Sequence, residues 1–272
     1  MTPAQIRNIA DRQLADYDAH HPGRFFEGAS VALTIAESYD VQMQVAALRE
    51  ARGEPVAGYK IGCVSEVIQR QLGVSQPTFG HLFATEIYRD GIALDPGAFD
   101  GLAIEGEFGV RIAVDIPNAT WLRKHAAASI AAIFPVIELH NNVLRGAKRT
   151  VQELIANNAM HAGVVLPPVE PAPRRAAELI REPISVFRNS ELLGAATGSG
   201  VPGGPIASLL KVADHLATVG RGLKQGQIVL TGSPLPLYPA RAGDHFAVRC
   251  LRLPEVRMTV SLDSIAGVPV EE

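Results

Sequence analysis

The sequence predicts an α+β protein, a mixed β body that follows a helical N-terminal region. Three observations predict it. Apolar residues recur at near-helical spacing through the first part of the chain, as in Ile6, Ile9, Leu14 and Tyr17. The segment LAIEGEFGVRIAVDI then alternates strictly, with Leu102, Ile104, Phe108, Val110, Ile112, Val114 and Ile116 on one face, interrupted only by Gly106. Short alternating runs, QIVLTGS, DHFAVRC and EVRMTVSL, close the chain.

Taken in order, the first helix is followed by a second after Thr34, where T-I-A-E makes a capping box with Glu37, and Gly53 is expected to end it. VAGYKIGCV reads as a strand, SEVIQRQLG as a short helix between Ser65 and Gly73, and FGHLFATEI as another strand. An Ala-rich helix is expected over residues 121–134, leading into the strand VIELHNN. Thr150 and Glu153 form a second capping box, opening a helix expected to run through Met160. ISVFRN and ELLGAATG pair across Asn189-Ser190, and Pro205 starts a helix that ends at Gly220. The texture divides the chain into a helical region, residues 1–75, and a β body, residues 76–272.

Composition narrows the function. The chain has 272 residues, 47% hydrophobic and 19% charged, enough to bury a substantial core. Its formal net charge of −3 lacks the basic footprint of a nucleic-acid binder, so a small molecule is the expected partner. Cys63 and Cys250 form no C-x-x-C pair, which argues against a disulfide framework or a thiolate zinc site. The N-terminal residues contain no signal-peptide apolar core and no stretch is long enough to span a bilayer, so the expected location is the cytoplasm, away from membranes.

The chemistry is concentrated on strands. On a pleated strand, Glu105, Glu107 and Arg111 project to the face opposite the apolar residues, and Glu138 and His140 share one face of a second strand. Neighbouring carboxylates repel, and a half-buried face gives them little solvent relief, so a cation is expected between them. Oxygen donors suit Mg²⁺ or Mn²⁺ better than zinc. The E-x-E spacing alone favours a solvated sheet face with Arg111 as partner.

Longer motifs reverse that balance. GYKIG at Gly58 to Gly62, QLGVSQPTFGHL, IEGEFGV, FPVIEL, NNAMHAGVVL, GRGLKQGQIVLTGS and PARAGD follow one another between Tyr39 and Asp244. In that order they resemble the 2-keto-4-pentenoate hydratase and 4-oxalocrotonate decarboxylase branch of the fumarylacetoacetate hydrolase superfamily. The resemblance implies a fumarylacetoacetate-hydrolase-like β-roll, a homo-oligomer, and Mg²⁺ (or Mn²⁺) held by Glu105, Glu107 and Glu138. It implies hydration of 2-hydroxypenta-2,4-dienoate or a related 2-oxo-enoate in aromatic-compound catabolism, or decarboxylation of a 2-oxo-enedioate at the same site. Lys60 is the candidate for stabilising the enolate or moving a proton, and Ser233 for binding the substrate carboxylate or positioning water. Asn158, His81 and His140 are candidate substrate-binding residues.

Departures from the family pattern bear on substrate choice. Gly106 stands between the paired glutamates where proline is common, and is expected to loosen the strand. Asn141, Asn142 and Val143 replace an acidic residue, a serine and an arginine, Lys211 replaces a tryptophan, and Gly204 replaces a polar residue. The substitutions at Asn142, Val143 and Lys211 also motivate a reading from a different class, a catalytically degenerate assembly partner of an active paralogous pathway enzyme.

Overall fold

The computed structural model describes residues 1–27, 32–65, 69–70, 74–146, 148–171 and 176–262. The short helix expected between Ser65 and Gly73 falls largely outside these residues.

Two helices open the chain. Thr2 caps α1 (Pro3–Asp18) and Thr34 caps α2 (Ile35–Ala51), each with a complete capping box, through Gln5 and Glu37 respectively. The two pack on a cluster formed by Ile6, Ile9, Phe26 and Val41. The buried Gln42 side chain ties α2 to the body by donating to the Phe79 carbonyl at 2.9 Å and the Ile155 carbonyl at 2.7 Å.

The body holds β1 (Val56–Gly62), β2 (Thr78–Phe83), β3 (Ile87–Arg89), β4 (Ile92–Leu94), β5 (Ala103–Ile112), β6 (Ile130–His140) and β7 (His161–Leu166). Its later strands are β8 (Pro183–Arg188), β9 (Glu191–Thr197), β10 (Ile228–Leu230), β11 (Tyr238–Pro239), β12 (His245–Cys250) and β13 (Val256–Val260). Its helices are α3 (Ala119–Ser129), α4 (Val151–Ala156) and α5 (Gly204–Thr218). An eight-stranded mixed sheet runs β2-β1-β10-β5-β6-β7-β3, with β11 added to β5, and a five-stranded sheet runs β4-β13-β12-β8-β9. β1 pairs with both β2 and β10, so this strand of the first 75 residues is part of the main sheet.

The alternation in β5 has a direct structural cause. Its even residues Ile104, Phe108, Val110 and Ile112 are buried in the main core with Val186 and Val248 of the second sheet. Gly106 lies at the closest approach, where a Cβ would stand 2.6 Å from the Val186 Cγ2 and 3.0 Å from the Val248 Cγ2. Glycine there lets two sheets meet, and is not a loosened strand.

Two helix expectations overran. β6 begins at Ile130, not after Phe134, because residues 130–140 pair with β5 along its length and bury Ile133, Phe134 and Ile137. Burial on both faces overrides the helix propensity of the alanines. α4 stops at Ala156, and Asn158, Ala159 and Met160 then take φ of 54°, 51° and 69°. Thr150 caps α4, yet Glu153 does not return the bond: its carboxylate accepts from the Arg145 and Gly146 amides instead. The Asn189-Ser190 hairpin forms as expected, with φ of 50° and 71° at its two turn residues.

Candidate metal centre and substrate cavity

Register places the carboxylates. β5 and β6 pair antiparallel with Glu105 directly opposite Glu138 and Glu107 opposite Val136, so all three glutamates share a sheet face. Like charges facing each other across a ladder are destabilising, and here Glu107 and Glu138 are fully buried while Glu105 retains 24% side-chain exposure. Ligand atoms of Glu105, Glu138 and His140 all lie within 4.8 Å of one another.

Glu138 is the hub. Lys60 Nζ stands 3.2 Å from its Oε1, His161 Nδ1 is 2.7 Å from the same oxygen, and His140 Nε2 is 3.4 Å from Oε2. Burial opposes ionisation of Glu138, but Lys60, His140 and His161 outweigh it and hold the carboxyl well below its usual range. Glu107 goes the other way: burial and the charge of Glu138 push it well above the carboxylate range. Burial also raises Glu105, with His140 and Lys60 opposing and Glu138 adding to the shift. For Lys60 burial favours the neutral amine, yet Glu138, Glu105 and Glu107 together keep it above the ordinary lysine value.

The donor set fits a hard divalent cation. Glu107 accepts the Gly232 amide with one oxygen, while its Oε1 and the Glu138 Oε2 are buried without a hydrogen-bond partner. Gly232 has φ of 86°, and a Cβ there would stand 2.8 Å from the Val64 Cγ1, so only glycine supplies that amide without strain. Orphaned buried carboxylate oxygens are costly unless something binds them. Arg111 does not provide the compensation: it bonds the Glu170 carboxylate and the Gly226 carbonyl.

Of the cluster, Lys60, Glu105 and His140 line a cavity of 520 Å³ together with Thr78 and Ser233 among others, while the fully buried Glu107 and Glu138 are not among its lining residues. Ala159 and Met160 also line it, and the Lys60 ammonium donates to the Ala159 carbonyl at 3.2 Å. Three consecutive non-glycine residues at positive φ cost about 1 kcal/mol or more each, and such strain concentrates at functional sites.

The other candidates are placed as follows. Ser233 lies in the loop after β10, its hydroxyl within 3.1 Å of the Gly106 carbonyl and 2.9 Å of the Leu235 carbonyl while accepting the Leu235 amide. Asn158 directs its side chain to the His81 backbone, accepting from its amide at 2.7 Å and donating to its carbonyl at 2.9 Å. His81 is buried between the Tyr59 and Phe83 rings, and neither it nor Asn158 is among the residues lining the cavity. His161, which sequence reasoning passed over, is brought onto Glu138 by the β6–β7 ladder; its place one residue before Ala-Gly in NNAMHAG gave no separate signal.

No family model matches the chain. It is 30% identical over 237 residues to 2-hydroxyhexa-2,4-dienoate hydratase of Comamonas testosteroni, covering 86% of each chain. It is 29% identical over 222 residues to 2-keto-4-pentenoate hydratase of Burkholderia vietnamiensis, covering 82% of this chain and 84% of that one. Among solved structures, 4-oxalocrotonate decarboxylase from Pseudomonas putida G7, in complex with magnesium and adipate, superposes with a TM-score of 0.85 at 23% identity over 96% of this chain and 98% of that one. The mixed sheets and helices are thus the fumarylacetoacetate hydrolase fold. The chain belongs to the 2-keto-4-pentenoate hydratase and 4-oxalocrotonate decarboxylase branch of the fumarylacetoacetate hydrolase superfamily.

Proposed function

We propose that the chain is a Mg²⁺-dependent hydro-lyase that adds water to 2-hydroxypenta-2,4-dienoate or a related 2-oxo-enoate. The observation that carries this is the Glu105–Glu138 cross-strand pair, whose Glu105 lines the cavity, beside a buried Lys60 and two orphaned carboxylate oxygens. Glu105, Glu107 and Glu138 would hold the ion, with Mn²⁺ as the alternative. When bound, it supplies Lewis acidity at the 2-oxygen of a 2-oxo acid.

The chain's own groups divide the remaining work. Lys60, kept protonated by the glutamates, places an ammonium proton in the cavity and balances the negative charge that develops when the dienol becomes a conjugated 2-oxo-3-enoate. That conjugation draws electrons from C4 and makes it the site of water addition. His140 lines the cavity with its Nε2 3.4 Å from the Glu138 carboxylate, which places it to exchange a proton with the attacking water. The Ser233 bonds fix the loop after β10 over the cavity, and Asn158 holds the strained backbone whose Ala159 carbonyl orients Lys60.

Decarboxylation of a 2-oxo-enedioate uses the same stabilisation of negative charge, and remains the alternative reaction. We also propose a homo-oligomeric, cytoplasmic enzyme; no described helix is long and apolar enough to cross a membrane. The test is loss of dienoate absorbance with Mg²⁺ present. Hydration is expected, and Glu105→Gln is expected to lower metal affinity and turnover together without unfolding. No turnover of dienoate or enedioate by metal-loaded protein would reject the proposal, and an unaltered metal titration in Glu105→Gln would reject the ligand set.

A further inference from the structure

A small internal chamber of 40 Å³ lies between the N-terminal helices and the body, lined by Gln13 of α1, Gln42 and Arg49 of α2, and Phe83, Asn141 and His161 of the body among others. Most of its polar lining is committed elsewhere. Arg49 bonds Glu54 and Glu86, Tyr17 donates to Glu86, Gln42 donates to the Phe79 and Ile155 carbonyls, and Asn141 accepts the Asp100 amide. Two side chains are left over. Both amide atoms of Gln13, a residue 4% exposed, and Nε2 of His161, 3% exposed, are buried without a hydrogen-bond partner among the described residues. The other ring nitrogen of His161, Nδ1, stands 2.7 Å from the Glu138 Oε1. A carboxylate only accepts, so Nδ1 carries a hydrogen there, and in the neutral ring Nε2 is left as an acceptor.

We infer that ordered water in this chamber bridges the Gln13 amide to His161 Nε2, which makes Gln13 of the N-terminal helix a positioning residue for the Glu138 carboxylate. A water needs roughly 10–15 Å³ of such space and about two to four polar partners, and the chamber offers both. Burying a donor and two acceptors around one chamber is costly unless something bonds them. Water donates to Nε2 and bonds the Gln13 amide, and the ring, held at both nitrogens, keeps Nδ1 aimed at Glu138. No α1 residue lines the larger cavity or belongs to the carboxylate cluster, so the bridge is how that helix reaches the site. The bridge follows from the chamber itself; its consequence for Mg²⁺ rests on the ligand set proposed above.

Nitrogen NMR of the histidine-labelled, metal-free protein reads the bridge without turnover. The expected His161 signals are a hydrogen-bearing Nδ1 and a hydrogen-bonded Nε2, with the ring protons in contact with long-lived water; a bare Nε2 in the wild type overturns the bridge. Gln13→Met keeps the length of the side chain while removing both polar atoms, and is expected to move the Nε2 signal toward the unbonded position. In Mg²⁺ titrations Gln13→Met is expected to weaken binding about fivefold, less than the roughly 10–100-fold lost with a direct partner of a metal ligand. The same change in a His161→Asn background is expected to add nothing, because the connection runs through the imidazole. An equal loss in both backgrounds, or unchanged Mg²⁺ affinity in folded Gln13→Met, overturns the positioning role. If the wild type binds no Mg²⁺, the ligand set falls, while the nitrogen signals still decide the bridge.

Discussion

Two buried charge clusters in this chain look alike in composition and differ in satisfaction. In the first, between the N-terminal helices and the body, Arg49 donates to Glu54 at 2.6 Å and to Glu86 at 2.5 Å, lies 3.7 Å over the Phe83 ring, and is backed by Tyr17, whose hydroxyl donates to Glu86 at 2.5 Å. Only the Glu86 Oε2 is left without a partner there. In the second, three glutamates crowd Lys60, burial and Glu138 push Glu107 well above the carboxylate range, and the Glu107 Oε1 and Glu138 Oε2 are both unpaired. The first cluster has its cation paired on every side and acts as a clamp, since burial pulls the Arg49 pKa down while Glu86, Tyr17 and Glu54 more than restore it. The second leaves two unpaired oxygens beside Lys60 and Glu105, which line a cavity, and this is the arrangement that the proposed metal-binding role calls for.

The comparison breaks most visibly at Glu138. Glu138→Gln removes the charge that holds Lys60, His140 and His161, and is expected to lower turnover roughly a thousandfold and weaken Mg²⁺ binding. Dienoate absorbance and a metal titration read it; wild-type turnover in the variant would show that the hub is misassigned. Arg49→Met should do the opposite. It leaves Glu86 buried without its cation, costing about 3–5 kcal/mol of stability in denaturant melts, while turnover per folded molecule stays near wild type. A large loss of turnover at full folding would join the two clusters functionally.

His161→Asn sharpens the contrast within the second cluster. His161 bonds Glu138 but is absent from the cavity lining, so it acts by orienting the carboxylate. The expected loss is about 10–100-fold in metal affinity, with KM for the substrate shifted less than kcat. A purely structural role would lower the melting temperature and leave the metal titration unchanged.

A fourth test changes pH alone. Burial, with Arg221 and His215 adding to it, pushes the buried His81 down to about 3, and burial pushes His215, stacked on Phe79, down to about 4. The unfolded histidine titrates near 6.5, so below that pH the unfolded chain binds more protons than the folded one. The stabilisation is therefore fully present above pH 6.5 and is lost as pH falls toward 3, at up to about 1.4 kcal/mol per pH unit for each histidine. Denaturant melts at pH 7 and pH 5 should show it, with His81→Gln flattening the slope; an equal slope in that variant would contradict the assignment.

Local pattern determined a good deal of this protein by itself. Alternation in residues 102–116 predicted β5, which ends at Ile112 and leaves Val114 exposed, and put Glu105 and Glu107 on one face; capping chemistry fixed the start of α2, and the ordered motifs from Gly58 to Asp244 pointed to the family. Those features depend on neighbours within a few residues, and so they are written in the sequence. Tertiary structure alone decided the rest: that Glu105 faces Glu138 rung for rung, that Lys60 and not Arg111 supplies the nearby cation, that His161 completes the Glu138 environment, and that Gly106 marks the contact between sheets. The physical reason is common to all four. Strand register and sheet packing bring together residues tens of positions apart, and a period-two pattern says which face a side chain takes without saying what stands opposite it.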